Sequence, residues 1–240
     1  MKIATSPGED PGPLRDEREL IAALPLPLSA RALELGCGTA RQTRALLRSG
    51  KFDAITALEV DTRQHALNLL LDDLPGVSFG LGGAEAIPAT DASVDAVFLF
   101  KSLHHVPMAL LDQAFAEMRR VLKPGGLLYI SEPIFGGDYN EILRLFHDEQ
   151  AVRQAAFDAT VRAVDARCFE LVGQTFFLAP VRYRSFDEFE RAVIGVTHTE
   201  HHLSAALHRQ VRERFDAHMT EQGAAFEAPF RVDLLRRPTG

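Results

Sequence analysis

At 240 residues, with 46% hydrophobic and 25% charged side chains, the chain can bury a full core as one large or one-and-a-half domains. A net charge of −7 without a dominant basic stripe argues against a nucleic-acid backbone as its partner. No apolar run is long enough to cross a bilayer, and Cys37 and Cys168 are too few and too far apart for a disulfide framework.

Residues 1–13 hold three prolines and two glycines and predict a mobile lead-in. This polar stretch lacks the apolar core of a signal peptide, so a cytoplasmic location is expected. Leu14, Leu20, Ile21 and Leu24, with charges between them, predict a short amphipathic helix that Pro25 and Pro27 end. A first strand from Arg31 runs through Leu33-Glu34-Leu35 into the turn Gly36-Cys37-Gly38-Thr39-Ala40, and a helix follows over 41–48. A second strand, 54–58, ends at Glu59, and a helix over 63–74 stops at Pro75-Gly76. A third strand is predicted at 77–81. A fourth, 94–100, is almost wholly apolar, as a strand covered on both faces must be. A helix over 108–122 ends at Lys123-Pro124-Gly125-Gly126, before a fifth strand at 127–131. Strand–helix alternation of this kind gives a parallel sheet with helices on both sides.

After Glu132-Pro133 the pattern changes. Residues 139–164 predict one or two helices with no strand between them, and 169–183 a long strand bent at Pro180. Ser185 heads a helix with Asp187 and Glu188 in its first turn. A further helix over 203–219 precedes a last strand at 230–235. These two strands predict an antiparallel hairpin that closes the sheet.

The glycine turn is the most informative segment. Glycine lets a ligand approach the main chain because no Cβ stands in the way. The following helix offers unpaired N–H groups and the positive end of its dipole. An acidic side chain ending the second strand can accept from both hydroxyls of a ribose. Dinucleotide enzymes want a third glycine where this chain has Arg41.

With these pieces placed, the chain resembles the class I S-adenosylmethionine (SAM) dependent methyltransferases of the type 11 kind. Four blocks carry the resemblance: Leu33 to Ala40; Leu58-Glu59-Val60-Asp61; Gly83-Ala84-Glu85-Ala86-Ile87-Pro88 with Asp95-Ala96-Val97 after it; and Arg120-Val121-Leu122-Lys123-Pro124-Gly125-Gly126. The resemblance implies an α/β, Rossmann-like fold: a seven-stranded, mostly parallel sheet with an antiparallel last strand, helices on both faces, and a helical cap inserted after strand 5. In that scheme 1–30 form a lead-in and cap helix, 31–133 and 166–240 the SAM-binding core, and 134–165 a substrate cap to which 185–220 contribute.

The resemblance implies SAM as cofactor, S-adenosylhomocysteine as product, and a small-molecule acceptor attacking through O, N or C. It puts Gly36, Cys37 and Gly38 under the methionine half, with Glu34 holding the amino group directly or through water. Glu59 would bind the ribose hydroxyls, beside Val60. Asp61 competes for that role, with a helix N-cap before Thr62 as its structural alternative. Ala84 and Glu85 would line the adenine, and Lys101 would face the methionine through its backbone. One departure counts: Gly83 stands where the family usually has an aspartate for the adenine amino group, so Glu85 or a backbone carbonyl must take that donor.

Methyl transfer to a hydroxyl or ammonium acceptor requires proton removal, and histidine is the usual base near neutral pH. His104 and His105 follow the fourth strand on the expected methyl side, as catalytic or pocket-lining residues. Glu132 could pair with a cationic acceptor or with an arginine. In His198-Thr199-Glu200-His201-His202, His198 and His202 are spaced i, i+4. That spacing allows acceptor binding or a polar turn, and metal only as a small share, so no metal is expected. A SAM-binding protein without methyl transfer remains the rival reading, ahead of an NAD-dependent oxidoreductase.

Overall fold

In the computed structural model, the described residues are 1–6, 9–27, 29–196 and 201–240. The elements run α1 (Glu17–Ala22), β1 (Ala30–Leu35), α2 (Arg41–Arg48), β2 (Phe52–Glu59), α3 (Thr62–Asn68), β3 (Val77–Leu81) and β4 (Val94–Phe100). They continue with α4 (Leu111–Val121), β5 (Leu122–Pro133), α5 (Gly137–Leu143), α6 (Gln150–Asp165), β6 (Glu170–Tyr183), α7 (Phe186–Phe189), α8 (Ala205–Asp216), β7 (Met219–Thr220) and β8 (Gly223–Arg236). The sheet order is β3-β2-β1-β4-β5-β8-β6. Strands β1 to β5 pair in parallel, and β8 runs antiparallel to both β5 and β6. The two-residue β7 on β8 brings the count to eight, one more than the sequence predicts.

Alternation along the central strands divides the core. Leu33, Leu35, Val97, Leu99, Leu128 and Ile130 face a layer that includes Phe115 and Met118 of α4 and Ala156, Ala159 and Ala163 of α6. Ala32, Ala96, Phe98, Phe100 and Tyr129 face Ile21 of α1 and Leu46 of α2. Both faces are apolar, as a parallel sheet covered on both sides requires.

Strands β6 and β8 are each 14 residues long, and β8 pairs with β5 only up to the Phe230–Pro133 position. Residues 224–229 therefore overhang the sheet, paired to β6. The overhang, α5, α7 and α8 bury their own apolar cluster, with Ile142, Phe186, Phe189, Val211, Phe215 and Phe226. This divides the expected 134–165 cap: α5 joins the overhang, whereas α6 packs in the core layer because three of its alanines let it sit close to the sheet.

Other expectations change as well. The described residues of the 1–13 lead-in are docked rather than loose. Gln174 accepts from the Lys2 N–H at 2.8 Å, and Leu178 exchanges backbone hydrogen bonds with Pro13 and Arg15. Leu14 pairs with Leu178, so the first helix begins only at Glu17, after the Asp16 cap. Helix α3 ends at Asn68 rather than 74. Pairing in β6 runs straight through Pro180 on the sheet's edge, where a missing N–H is harmless, and the irregularity lies at Leu171/Gly173. Strand β8 starts at Gly223, seven residues earlier than 230. A side chain there would strike the Tyr183 carbonyl, 2.4 Å from its Cβ, and φ is +95°.

Candidate cofactor and active site

The glycine turn is built by its neighbours. Gly36 and Cys37 both donate their N–H groups to the Leu58 carbonyl, at 2.9 and 3.0 Å, and this locks the end of β1 to β2. Gly36 has φ +74°, and a Cβ there would stand 2.7 Å from that of Ser102, whose hydroxyl donates to the Leu35 carbonyl. At Gly38 (φ +52°) an added Cβ would meet nothing within 4 Å, so the main chain is open to a ligand. Asn68, buried at the end of α3, donates to the Gly38 carbonyl at 2.8 Å. Ala40 holds a left-handed φ of +59° at the N-cap of α2.

Two carboxylates lie under the turn. Glu59 accepts from the N–H groups of Gly38 (2.7 Å), Val60 (2.8 Å) and Asp61 (3.0 Å). Glu34 is fully buried and accepts from the Thr43 hydroxyl at 2.6 Å. Burial, with the Glu59 charge nearby, pushes its pKa up to about 8. The same surroundings raise the Cys37 thiol, so it is an inert wall residue. Asp61 is the N-cap of α3, accepting from Arg63 N–H at 2.8 Å, while the Val60 side chain is exposed.

Gly83 also has a local explanation. The Glu85 carboxylate oxygens lie 2.4 and 2.5 Å from where a Gly83 Cβ would be, so Glu85 folds into the space a side chain at 83 would take. Ala84 is buried beneath this loop, and Lys101, at φ +55°, is exposed at the end of β4.

The structure brings His104 and Glu132 together and adds partners that the sequence does not reveal. His104 is buried, with Nδ1 against a Glu132 oxygen and Nε2 3.3 Å from Glu149. Glu132 also accepts from Leu103 N–H at 2.9 Å, so its partner is a histidine and not an arginine. Glu149 is held by Arg153 at 2.6 Å and His147 at 2.9 Å. The two carboxylates overcome the effect of burial and raise the His104 pKa to about 9, so the ring keeps its proton at neutral pH. His105 is exposed, its ring centroid 4.2 Å from that of His104. His104, His105 and Glu149 place possible ligand atoms within 4.8 Å of one another. Because both His104 nitrogens already face carboxylates, we read the group as an ion-pair network.

His198 lies outside the described residues. His202 lies two residues before the Ser204 cap of α8. His201 packs its ring against Phe146 and His147. Asn68, Thr43, Ser102, Glu149 and Arg153 went unseen in the sequence. Only Thr43 carried a signal, since one helical turn after Ala40 brings it beneath the glycine turn.

The site fits a SAM-type ligand: an open backbone at Gly38, with carboxylates at Glu34 and Glu59 below it. Residues 33–130 match the family described as methyltransferase domain. Over 104 residues the chain is 40% identical to an uncharacterised methyltransferase of Mycobacterium tuberculosis, covering 43% of this chain and 40% of that protein. The match thus spans well under half the length of that relative. Among solved structures, a SAM-dependent methyltransferase from Mesorhizobium loti superposes with a TM-score of 0.54 at 15% identity, covering 92% of this chain and 97% of the other. The cyclase SpnF gives 0.61 at 20% identity, covering 93% and 80%. Residues 33–130 therefore match a methyltransferase domain, within a chain that has the α/β fold of solved SAM-dependent methyltransferases.

Proposed function

We propose that the chain transfers a methyl group from SAM to a small-molecule acceptor through O, N or C, in the cytoplasm. The observation that carries this reading is the open Gly38 main chain over the Glu59 carboxylate, which together suit a ribose and methionine moiety. When bound, SAM supplies an electrophilic methyl on a sulfonium, and the protein's task is orientation and proton handling. Glu34 would face the ligand's amino group, Glu59 its ribose hydroxyls, and Glu85 the adenine amino group in place of the absent aspartate.

His104 is committed to holding a proton between Glu132 and Glu149, which makes it a positioning residue for the loop over 102–107. His105, exposed beside it, is the better candidate to accept a proton from the acceptor. The cap of α5, α7 and α8 over the overhanging hairpin would exclude water from the reacting atoms. Calorimetry with SAM, S-adenosylhomocysteine and NAD, followed by a methyl-release assay on a metabolite panel, tests the proposal. Tight NAD binding without SAM binding would overturn it.

A second reading, SAM binding without methyl transfer, is favoured by Gly83, and a cyclase shares the fold. It predicts cofactor binding with no methyl release across the panel.

A further inference from the structure

Beside the glycine turn, the carboxyl ends of β4 and β5, the start of α2 and helix α1 meet. The Lys101 N–H donates to the Ser131 carbonyl at 2.8 Å, which joins the end of β4 to that of β5. Ser102, the next residue, donates to the Leu35 carbonyl at 2.7 Å, which joins β4 to the turn. Glu17 of α1 accepts from Tyr129 of β5 at 3.2 Å and from Gln42 of α2 at 2.8 Å. Two cations stand at this junction: Lys101, which follows β4, and Arg41, which opens α2. Both residues are exposed, and neither side chain makes a hydrogen bond or ion pair among the described residues. Crowding by protein atoms lowers the Lys101 pKa, and the nearby Arg41 charge lowers it further. A lysine that is open to solvent and yet partly desolvated lies in a concavity.

The carboxylates around these two cations are already matched. Glu132, on the far side of Lys101, holds His104. Asp16, near Arg41, holds Arg18. Glu17 is half-buried between Tyr129 and Gln42, and burial raises its pKa, which favours the uncharged acid. Lys101 and Arg41 therefore repel one another with no protein anion between them, and a bound anion would turn that repulsion into two attractions. Ammonium and guanidinium groups hold carboxylates through short, charge-assisted hydrogen bonds.

We propose that Lys101 and Arg41 clamp a carboxylate beside the glycine turn, supplied by the methyl acceptor or by the methionine end of the cofactor. The proposal rests on the methyltransferase reading above and assigns that site two residues outside its glycine turn. Arg41 follows Ala40, on the side where the methionine half would lie. Lys101 lies towards Glu132 and the His104–His105 loop, on the side where the acceptor would react. A carboxylate between the two cations thus sits where cofactor and acceptor meet, within reach of both sources.

The test is calorimetry on the wild type, Lys101→Met and Arg41→Met. Each is titrated with S-adenosylhomocysteine and with methylthioadenosine, which lacks the amino-acid end. The S-adenosylhomocysteine-loaded proteins are then titrated with three- to six-carbon mono- and dicarboxylates, each beside its amide. Both exchanged side chains are exposed, so melting temperatures should match the wild type. If the cofactor supplies the carboxylate, both variants should lose S-adenosylhomocysteine affinity by tenfold or more, the factor that one lost charged hydrogen bond brings. They should then bind methylthioadenosine as the wild type does. If the acceptor supplies it, S-adenosylhomocysteine affinity holds, at least one acid binds the loaded wild type tenfold more tightly than its amide, and both variants weaken that acid by tenfold or more. Lys101→Arg, which keeps the charge, should restore most of whichever affinity Lys101→Met loses. The clamp falls if the variants weaken S-adenosylhomocysteine and methylthioadenosine alike. It also falls if S-adenosylhomocysteine affinity is unchanged and no acid binds, or if acids bind the variants as well as the wild type. Those outcomes leave the cofactor reading standing, whereas a wild type that binds neither nucleoside overturns that reading and the clamp with it.

Discussion

The carboxylate of Glu59 accepts a hydrogen bond from the Gly38 N–H at 2.7 Å, so the residue expected to bind ribose also shapes the turn beneath it. Each carboxylate oxygen has two lone pairs, and three backbone donors leave capacity for a ligand hydroxyl. Glu59→Ala should therefore cut S-adenosylhomocysteine affinity by tenfold or more, since a hydrogen bond to a charged acceptor is worth about 1.5–3 kcal/mol. Asp61→Ala should act differently. It removes the cap of α3 and should lower stability by about 1 kcal/mol with little change in affinity. Calorimetry and thermal melts on both variants check the division. A larger affinity loss for Asp61→Ala would reassign the ribose contact.

Glu34 links cofactor binding to protons. Its carboxyl ionises at about 8 when folded, against 4.5 ordinarily, so between those values the folded chain holds more protons than the unfolded one. Stability should then fall as pH rises from about 4.5 to about 8. If the ligand's ammonium sits against Glu34, binding at pH 7 favours the carboxylate and expels the proton. Binding heats measured in phosphate and in Tris should differ, and Glu34→Gln should erase the difference. Heats independent of buffer would remove Glu34 from the amino-group site.

Ala40 offers a simpler test. A left-handed alanine costs about 1–2 kcal/mol relative to an unstrained one. Glycine would relieve that cost but loses about 0.4–1 kcal/mol through the freedom of the unfolded chain. Ala40→Gly should raise stability by up to about 1.5 kcal/mol and leave the turn's geometry intact. A melting temperature several degrees lower would mean that the Ala40 methyl, fully buried, contributes packing that outweighs the strain.

The parallel half of the fold was legible because its signals are local. The apolar run of β4, the glycines at 36 and 38, and Glu59 at the end of β2 each declare themselves within a few residues. What stayed hidden depends on distant pairings. Nothing near Asn68 tells that it braces Gly38, 30 residues away, and nothing near Glu149 tells that it meets His104. The docked N-terminus was misread for the same reason. Proline and glycine in 1–13 imply mobility, whereas Gly12 is needed because a side chain there would strike the Phe176 carbonyl, 2.1 Å from its Cβ. The length of β8 was underestimated because its overhang is charged and interrupted, Phe226-Glu227-Ala228-Pro229, and lies beyond the pairing with β5.

The buried His104 separates two versions of the mechanism. Its raised pKa means that the ion-pair contribution is complete below about 6.5 and is lost as pH climbs through about 9. His104→Gln should therefore melt below the wild type at pH 6, and the gap should narrow towards pH 10. Turnover at saturating SAM then assigns the base. His105→Ala should fall about a hundredfold if His105 takes the acceptor's proton, with a pH profile that loses its acidic limb. His104→Ala should lower turnover through the displaced loop and keep that limb, because the base remains. His198→Ala serves as a third arm. Small, uniform losses across the three variants would leave catalysis to proximity alone, as a carbon or thiolate acceptor allows, and would sink the histidine-base mechanism.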